Sequence, residues 1–194
     1  LQSGGYDVHL AIPHYRNLFK GNRPEIEALQ HSLAGDSRIH LAGDSRIHLA
    51  EDSAFYRRVN AYHGDLHATS LAFQREIINH IIPIVKPDIV HCNDWLTGLI
   101  PAACKRLGIK TLFTIHNIHR ERTTLAEIES RGIDASEFWE DLHYENYPYS
   151  FEQSYQHNRI DLLASAITNA HYVTTVSPTF LQEIMHGTHG DLPE

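Results

Sequence analysis

Apolar residues in this chain gather into short blocks of two periods. Residues 6–12 of "YDVHLAIPHY" form a strand-length apolar block closed by Pro13, which predicts an early strand. In "GDLHATSLAFQREIINHIIPIVK" (64–86), Leu66, Ser70, Phe73, Ile77, His80 and Ile81 fall near one face at helical spacing. That segment predicts a helix, which Pro83 should end or kink. "DIVHCN" (88–93) and "IKTLFTIHN" (109–117) predict two buried strands. Between them "WLTGLIPAACKRLG" (95–108) reads as a helix closed by Gly108 at the position after its C-cap. Strand, helix and strand make a βαβ unit, hence parallel pairing and a right-handed crossover. "NRIDLLASAITNA" (158–170) predicts a further helix, "HYVTTVS" (171–177) a third strand, and Pro178 opens another helix. The pattern is that of an α/β fold with a doubly wound parallel sheet. Residues 119–158, rich in charge, Tyr and His, are expected to form loops and short helices over one edge.

One stretch breaks the pattern. "LAGDSRIH" occupies 33–40 and recurs unchanged at 41–48. The period is too short for a solenoid repeat, so it is read as a local duplication lengthening a hairpin or surface loop, an insertion that costs little.

Composition narrows the partners. At 194 residues the chain is long enough for one well-packed domain. Its 24 acidic and 16 basic residues give a net charge of -8, with no basic block, which excludes a phosphate-neutralising nucleic-acid binder. No apolar run approaches the roughly 20 residues of a membrane helix, so no membrane partner is expected. Two cysteines, Cys92 and Cys104, make no disulfide framework and point to a reducing cytoplasm. The opening "LQSGG" lacks the features of a signal peptide and reads as the middle of something longer.

In open parallel sheets, ligands sit beyond the carboxyl ends of the strands. There the pattern places His91 to Asp94, then His116 and Asn117, then Ser177, all at one edge. His116 is the sharpest candidate, against the alternative that it only caps a strand end. Asp94 is expected to N-cap the helix beginning at Trp95. Trp95 reads as core packing or as a sugar platform. Ser177, before a proline and without a G-x-S-x-G elbow, reads as a helix cap. His63/His67, His116/His119 and His186/His189 have helical spacing but lack H-E-x-x-H or C-x-x-C company, so no metal is expected.

Taken together, "PDIVHCNDWLTGLIPA", "TLFTIHN" and "AHYVTTVSPTFLQEI" resemble, in order and spacing, the bacterial glycogen synthases and plant starch synthases. "YDVHLAIPHY" and "FYRRVNAYHGD" are similar to that family's early strand and aromatic segment. The resemblance implies a retaining glycosyltransferase of the GT-B type, with two Rossmann-like domains facing across a cleft. It would move glucose from ADP-glucose, with UDP-glucose the alternative donor, to the non-reducing end of an α-1,4-glucan, without a cofactor. Residues 1–194 would be the N-terminal, acceptor-side domain, truncated at its N-terminus, with the donor-binding C-terminal domain absent and needed for activity. His116 and Asp94 would be catalytic; Asn117, His91, Tyr62 and Trp95 would bind substrate. The chain departs from the family pattern in "IHRER" after T-I-H-N, where Tyr-Gln-Gly is usual. Asn93 and Leu96 replace histidines, and Leu163–Ala164 stand near a customary lysine. A sucrose-synthase-like enzyme and a non-catalytic glycan-binding relative are the alternatives.

Overall fold

The computed structural model describes residues 5–19, 39–41, 46–61 and 64–186. The chain divides into two compact units, Leu1–Lys86 and Pro87–Glu194.

In the first unit, β1 (Leu10–Pro13) leads into a short helix, α1 (Arg16–Phe19). Strand β3 (Ile47–Ala50) runs parallel to β1, and β2 (Ile39–Leu41) pairs antiparallel with β3, giving the order β1-β3-β2. Strands β2 and β3 are the equivalent Ile-His-Leu segments of the two sequence copies, so the duplication does lengthen a hairpin. Beyond β3, the buried Glu51 accepts hydrogen bonds from His14 Nδ1 and, at 3.0 Å, from Arg16 Nη2. Burial opposes ionisation of Glu51, yet its bonds from His14 and Tyr56 and the Arg16 charge hold its carboxyl below the usual range.

Helix α2 (Ser53–Tyr56) starts at Asp52, whose carboxylate accepts from Ala54 N–H at 2.6 Å. Helix α3 (Leu66–Glu76) is capped likewise by Asp65. It does not end at Pro83. A π turn (Ile77–Ile81) carries it into α4 (Ile82–Val85). A widened turn before Pro83 accommodates the ring that would otherwise collide with the carbonyl of Asn79. Ser70, Ile77 and Ile81 are buried as expected, whereas Leu66 and Phe73 are half-buried and Gln74 and Glu76 lie inside.

The second unit holds the expected βαβ. Strand β4 (Ile89–Asn93) is followed by a 3₁₀ turn (Trp95–Thr97) and helix α5 (Ile100–Arg106). Gly108, at φ 70°, donates to Lys105 O while Ile109 donates to Cys104 O, the paired bonds of a Schellman C-cap. Strand β5 (Lys110–Ile115) pairs in parallel with β4. Next come β6 (Arg122–Thr123), α6 (Leu125–Ser130) with a complete Thr124–Glu127 capping box, and α7 (Phe151–Ser154). Strand β7 (Ile160–Asp161) pairs with β6, and α8 (Leu162–Asn169) packs on α5. Strand β8 (Tyr172–Thr175) completes the all-parallel sheet β4-β5-β8. Ser177 Oγ then accepts from Phe180 N–H at 3.1 Å and caps α9 (Pro178–Met185).

Two expectations change. In place of one continuous sheet, the described residues form two three-stranded sheets, the first mixed because the duplicated segment returns antiparallel. The strands of the second are not buried on both faces. Cys92, Phe113 and Ile115 lie inside, but Ile89 (64 % exposed), His91, Asn93 and Tyr172 (73 % exposed) occupy the opposite, open face.

Gly98 lies where the 3₁₀ turn meets α8. A Cβ there would stand 2.4 Å from Leu162 O and 2.8 Å from Leu162 Cβ, whereas one at Gly108 meets nothing within 4 Å. Urea unfolding should show Gly98→Ala losing about 3 kcal/mol by overpacking against main chain. Gly108→Ala should lose about 1 kcal/mol, from the positive φ alone. The buried thiols provide a second check. Burial pushes Cys92 far up and Cys104 up to about 12, so both stay protonated in the fold at pH values where the unfolded chain ionises. Both should resist alkylation at mildly alkaline pH and react once guanidinium unfolds the chain; above the ordinary thiol range the fold should lose stability.

Candidate functional site

The carboxyl ends of β4 and β5 are tied together by one side chain. Asp94 adopts φ 55° and ψ 177°, a conformation sparsely populated by any residue but glycine and costing about 1–3 kcal/mol. That geometry carries its carboxylate toward the neighbouring strand end. Oδ1 accepts the backbone N–H of His116 at 2.7 Å and that of Asn117 at 3.3 Å, and Oδ2 accepts from Asn117 Nδ2 at 3.3 Å. Asp94 N–H itself donates to Thr114 O at 3.1 Å, continuing the sheet ladder. The expected capping of the Trp95 turn is not made, since the carboxylate bonds across to His116 and Asn117 instead. Thr97 supplies the local bonds, its Oγ1 accepting from Asn93 N–H and donating to Asn93 O, both at 2.9 Å.

His116 is exposed, and its Nε2 donates to Asn93 Oδ1 at 3.0 Å. The hydrogen therefore sits on Nε2, and in the neutral imidazole Nδ1 keeps the lone pair. Asn117 is exposed beside it and accepts His119 N–H at 3.0 Å. His91 belongs to a polar rail across the open sheet face: Nε2 lies 2.7 Å from Thr114 Oγ1, which lies 2.9 Å from Thr174 Oγ1. It thus stands one strand pair back from the cluster. Trp95 is buried (5 % exposed), with the His119 ring centroid 5.3 Å from its own, so the indole supports the loop from below. Tyr62 lies outside the described residues.

The loop after Asn117 has a second anchor that sequence pattern alone does not single out. Arg120 Nε donates to Asp161 Oδ2 at 2.5 Å, and Asp161, only 1 % exposed, accepts Ala164 N–H at 2.9 Å and so caps α8. Glu121 O accepts Leu162 N–H at 3.0 Å. The divergent segment "IHRER" is therefore fixed to the start of α8 by its own arginine. An arginine in the loop and an N-cap aspartate in "NRIDLLASA" were the available signals. Asn93 was likewise visible, two residues from His91 and on the same strand face. Among the described residues no three His, Cys, Asp or Glu side chains are grouped as a metal site would need.

Such a cluster presents amide and imidazole hydrogen-bonding groups at an exposed sheet edge, backed by a carboxylate whose oxygens are already bonded. It suits hydrogen bonding to hydroxyl-rich ligands and electrostatic stabilisation better than nucleophilic attack. Asp94→Ala should free the His116 and Asn117 amides. Hydrogen exchange there should rise at least tenfold, with a loss of about 2 kcal/mol in urea unfolding. Asp94→Gly, which relieves the backbone, should lose less while freeing the same amides.

The family described as starch synthase catalytic domain matches residues 1–193. The chain is similar to a glycogen synthase of Desulfitobacterium hafniense, 33 % identical over 149 residues, which covers 71 % of this chain and 30 % of the relative. It is similar to one of Geotalea uraniireducens, 29 % identical over 227 aligned positions, covering 98 % and 42 %. A third, from Cellvibrio japonicus, is 36 % identical over 110 residues, covering 54 % and 20 %. The chain thus spans less than half the length of these relatives.

Proposed function

Because this chain belongs to the starch synthase catalytic domain family, and is a glycosyltransferase domain of parallel sheets and helices, we propose that it works in α-glucan synthesis. In this reading the protein transfers glucose from ADP-glucose to the non-reducing end of an α-1,4-glucan, with retention of configuration. The observation that carries it is the His116–Asn117 pair, held at the carboxyl ends of parallel strands by Asp94 and oriented by Asn93. His116 contacts the transferred glucose next to the reacting carbon. Its imidazole, fixed by Asn93, offers a polar group to an oxocarbenium-like state and needs no covalent bond. Asn117 and His91 shape the sugar pocket, Trp95 supports the floor, and Tyr62 serves acceptor binding. Asp94 acts as a positioning residue, since its oxygens already hold His116 and Asn117.

The chain forms the acceptor-side domain of a two-domain GT-B enzyme, and a second domain supplies the groups that bind the nucleotide sugar. No step requires a cofactor or metal. A domain with one wall of the cleft cannot exclude water around the donor, so residues 1–194 alone are inactive. The buried free thiols suit a reducing cytoplasm. Among the described residues no helix is long and apolar enough to cross a membrane.

The test is incorporation of labelled glucose from ADP-glucose into maltooligosaccharides by the full-length protein. His116→Ala should lower transfer by about 100-fold or more, roughly 3 kcal/mol of transition-state stabilisation. Preference for UDP-glucose would correct the donor, and transfer to fructose would favour the sucrose-synthase-like alternative. No transfer by a folded, primer-binding wild type would overturn the reading in favour of a non-catalytic glycan binder.

A further inference from the structure

From Phe138 to Tyr155 the chain carries seven aromatic residues. Five of them, Phe138, Trp139, Tyr144, Phe151 and Tyr155, are buried or half-buried. Trp139 meets Phe151, and Phe151 meets Tyr155, at centroid separations of 6.1 and 5.6 Å. The other two behave differently. Tyr147 is 75 % and Tyr149 81 % exposed, and the two rings touch each other at 5.0 Å with planes inclined by 70°.

Single exposed aromatics need no explanation, but an exposed pair on a fixed mount does. The mount is fixed at both ends. Asn146 N–H donates to Asn158 Oδ1 at 3.1 Å, and Asn158 Nδ2 donates back to Asn146 O at 2.8 Å. Glu145 N–H donates to Arg159 O at 2.8 Å, and Tyr144 bridges Ile160. On the other side Ser150 Oγ accepts Gln153 N–H at 3.2 Å and caps α7. Only residues 147–149 span the interval, with Pro148 between the tyrosines. The chain on both sides of the two tyrosines is thus held before any ligand arrives, and a tyrosine has few rotamers to lose.

We infer that Tyr147 and Tyr149 form a glucan-binding platform separate from the His116 cluster, taking the α-linked chain of the proposed acceptor. The chemistry is that of an amphipathic ring meeting an amphipathic sugar. The C–H face of a pyranose packs on the phenol ring, and the hydroxyl rim meets the tyrosine hydroxyl and water. Two exposed rings that are not coplanar, their planes inclined by 70°, suit a curved α-1,4-glucan better than the flat ribbon of a β-1,4-glucan. The platform would hold a polymer near the enzyme and raise its effective concentration at the reacting end.

The choice of an α-glucan rests on the proposed function, so the test reads binding and transfer separately. Full-length protein is run in native gels containing glycogen, and its binding to maltoheptaose and cellohexaose is titrated calorimetrically. The wild type is set beside the double variants Tyr147→Ala/Tyr149→Ala and Tyr147→Phe/Tyr149→Phe. The alanine pair should weaken glycogen retention and maltoheptaose binding about tenfold, and the phenylalanine pair, which keeps the rings, should retain most of both. In transfer assays the loss should fall on KM for glycogen rather than on kcat. Unchanged retention in the alanine pair overturns the platform, as does equal binding of cellohexaose. An altered sedimentation coefficient with intact glucan binding also overturns it, by showing that the tyrosines serve a protein contact. If the wild type transfers no glucose but the alanine pair still loses retention, the platform stands and the synthase reading falls.

Discussion

A carboxylate that bonds two successive backbone amides of a neighbouring strand end is the constraint on which the rest of the second unit depends. Asp94 reaches His116 and Asn117 only because its own backbone is turned to a positive φ, against the preference of any residue with a Cβ. Charge-assisted bonds to amide donors are among the stronger hydrogen bonds in proteins, and three contacts outweigh one strained torsion. The strain is therefore the cost of aiming the carboxylate. It also adds a side-chain tie to the ladder hydrogen bonds that set the parallel register of β4 and β5.

From that tie the loop runs outward to a second one. Arg120 meets Asp161, and Asp161 also begins α8, the helix that lies against Gly98 and the 3₁₀ turn. The path thus closes on itself: β4, the turn, α8, Asp161, Arg120, His116 and back to Asp94. A ring of this kind resists local opening at any single point, because each link is held from both sides. It holds the "IHRER" loop against the start of α8. The loop is carried by an ion pair between Arg120 and the buried Asp161, which also caps α8.

Much of this was legible in the sequence. The strand-length and period-3.6 blocks located β5, β8, the end of α5 and the start of α9 closely, because Gly108, Ser177 and Pro178 announce their conformations by chemistry alone. Helices α5 and α8 begin later than the pattern predicts, at Ile100 and Leu162. The convergence of residues 91–94 with 116–117 came from parallel topology. The misses have specific causes. Asp before a helix is usually a cap, and nothing local distinguishes a cap from a bond to a distant strand end. Pro83 reads as ending or kinking its helix, and the π turn that carries the helix past it leaves no mark in hydrophobic periodicity. Strands β4 and β5 read as buried from apolar content, yet His91, Asn93 and Thr114 alternate and mark an open face. Arg120 and Asp161 were separate charges until the fold placed them together.

The duplicated segment has a consequence for strand identity. Residues 37–42 and 45–50 are the same six letters, so hydrophobic pattern and propensity give β1 no ground for choosing between Ile39–Leu41 and Ile47–Ala50 as its parallel partner. The copies differ in the residues just beyond them: Gly43-Asp44 after the first, Glu51-Asp52 after the second. The second brings the Glu51 carboxylate to His14 and Arg16. Register in the first sheet is thus encoded outside the strand that obeys it, in one side chain past its end, and a chain with two identical keys distinguishes them by a single tooth.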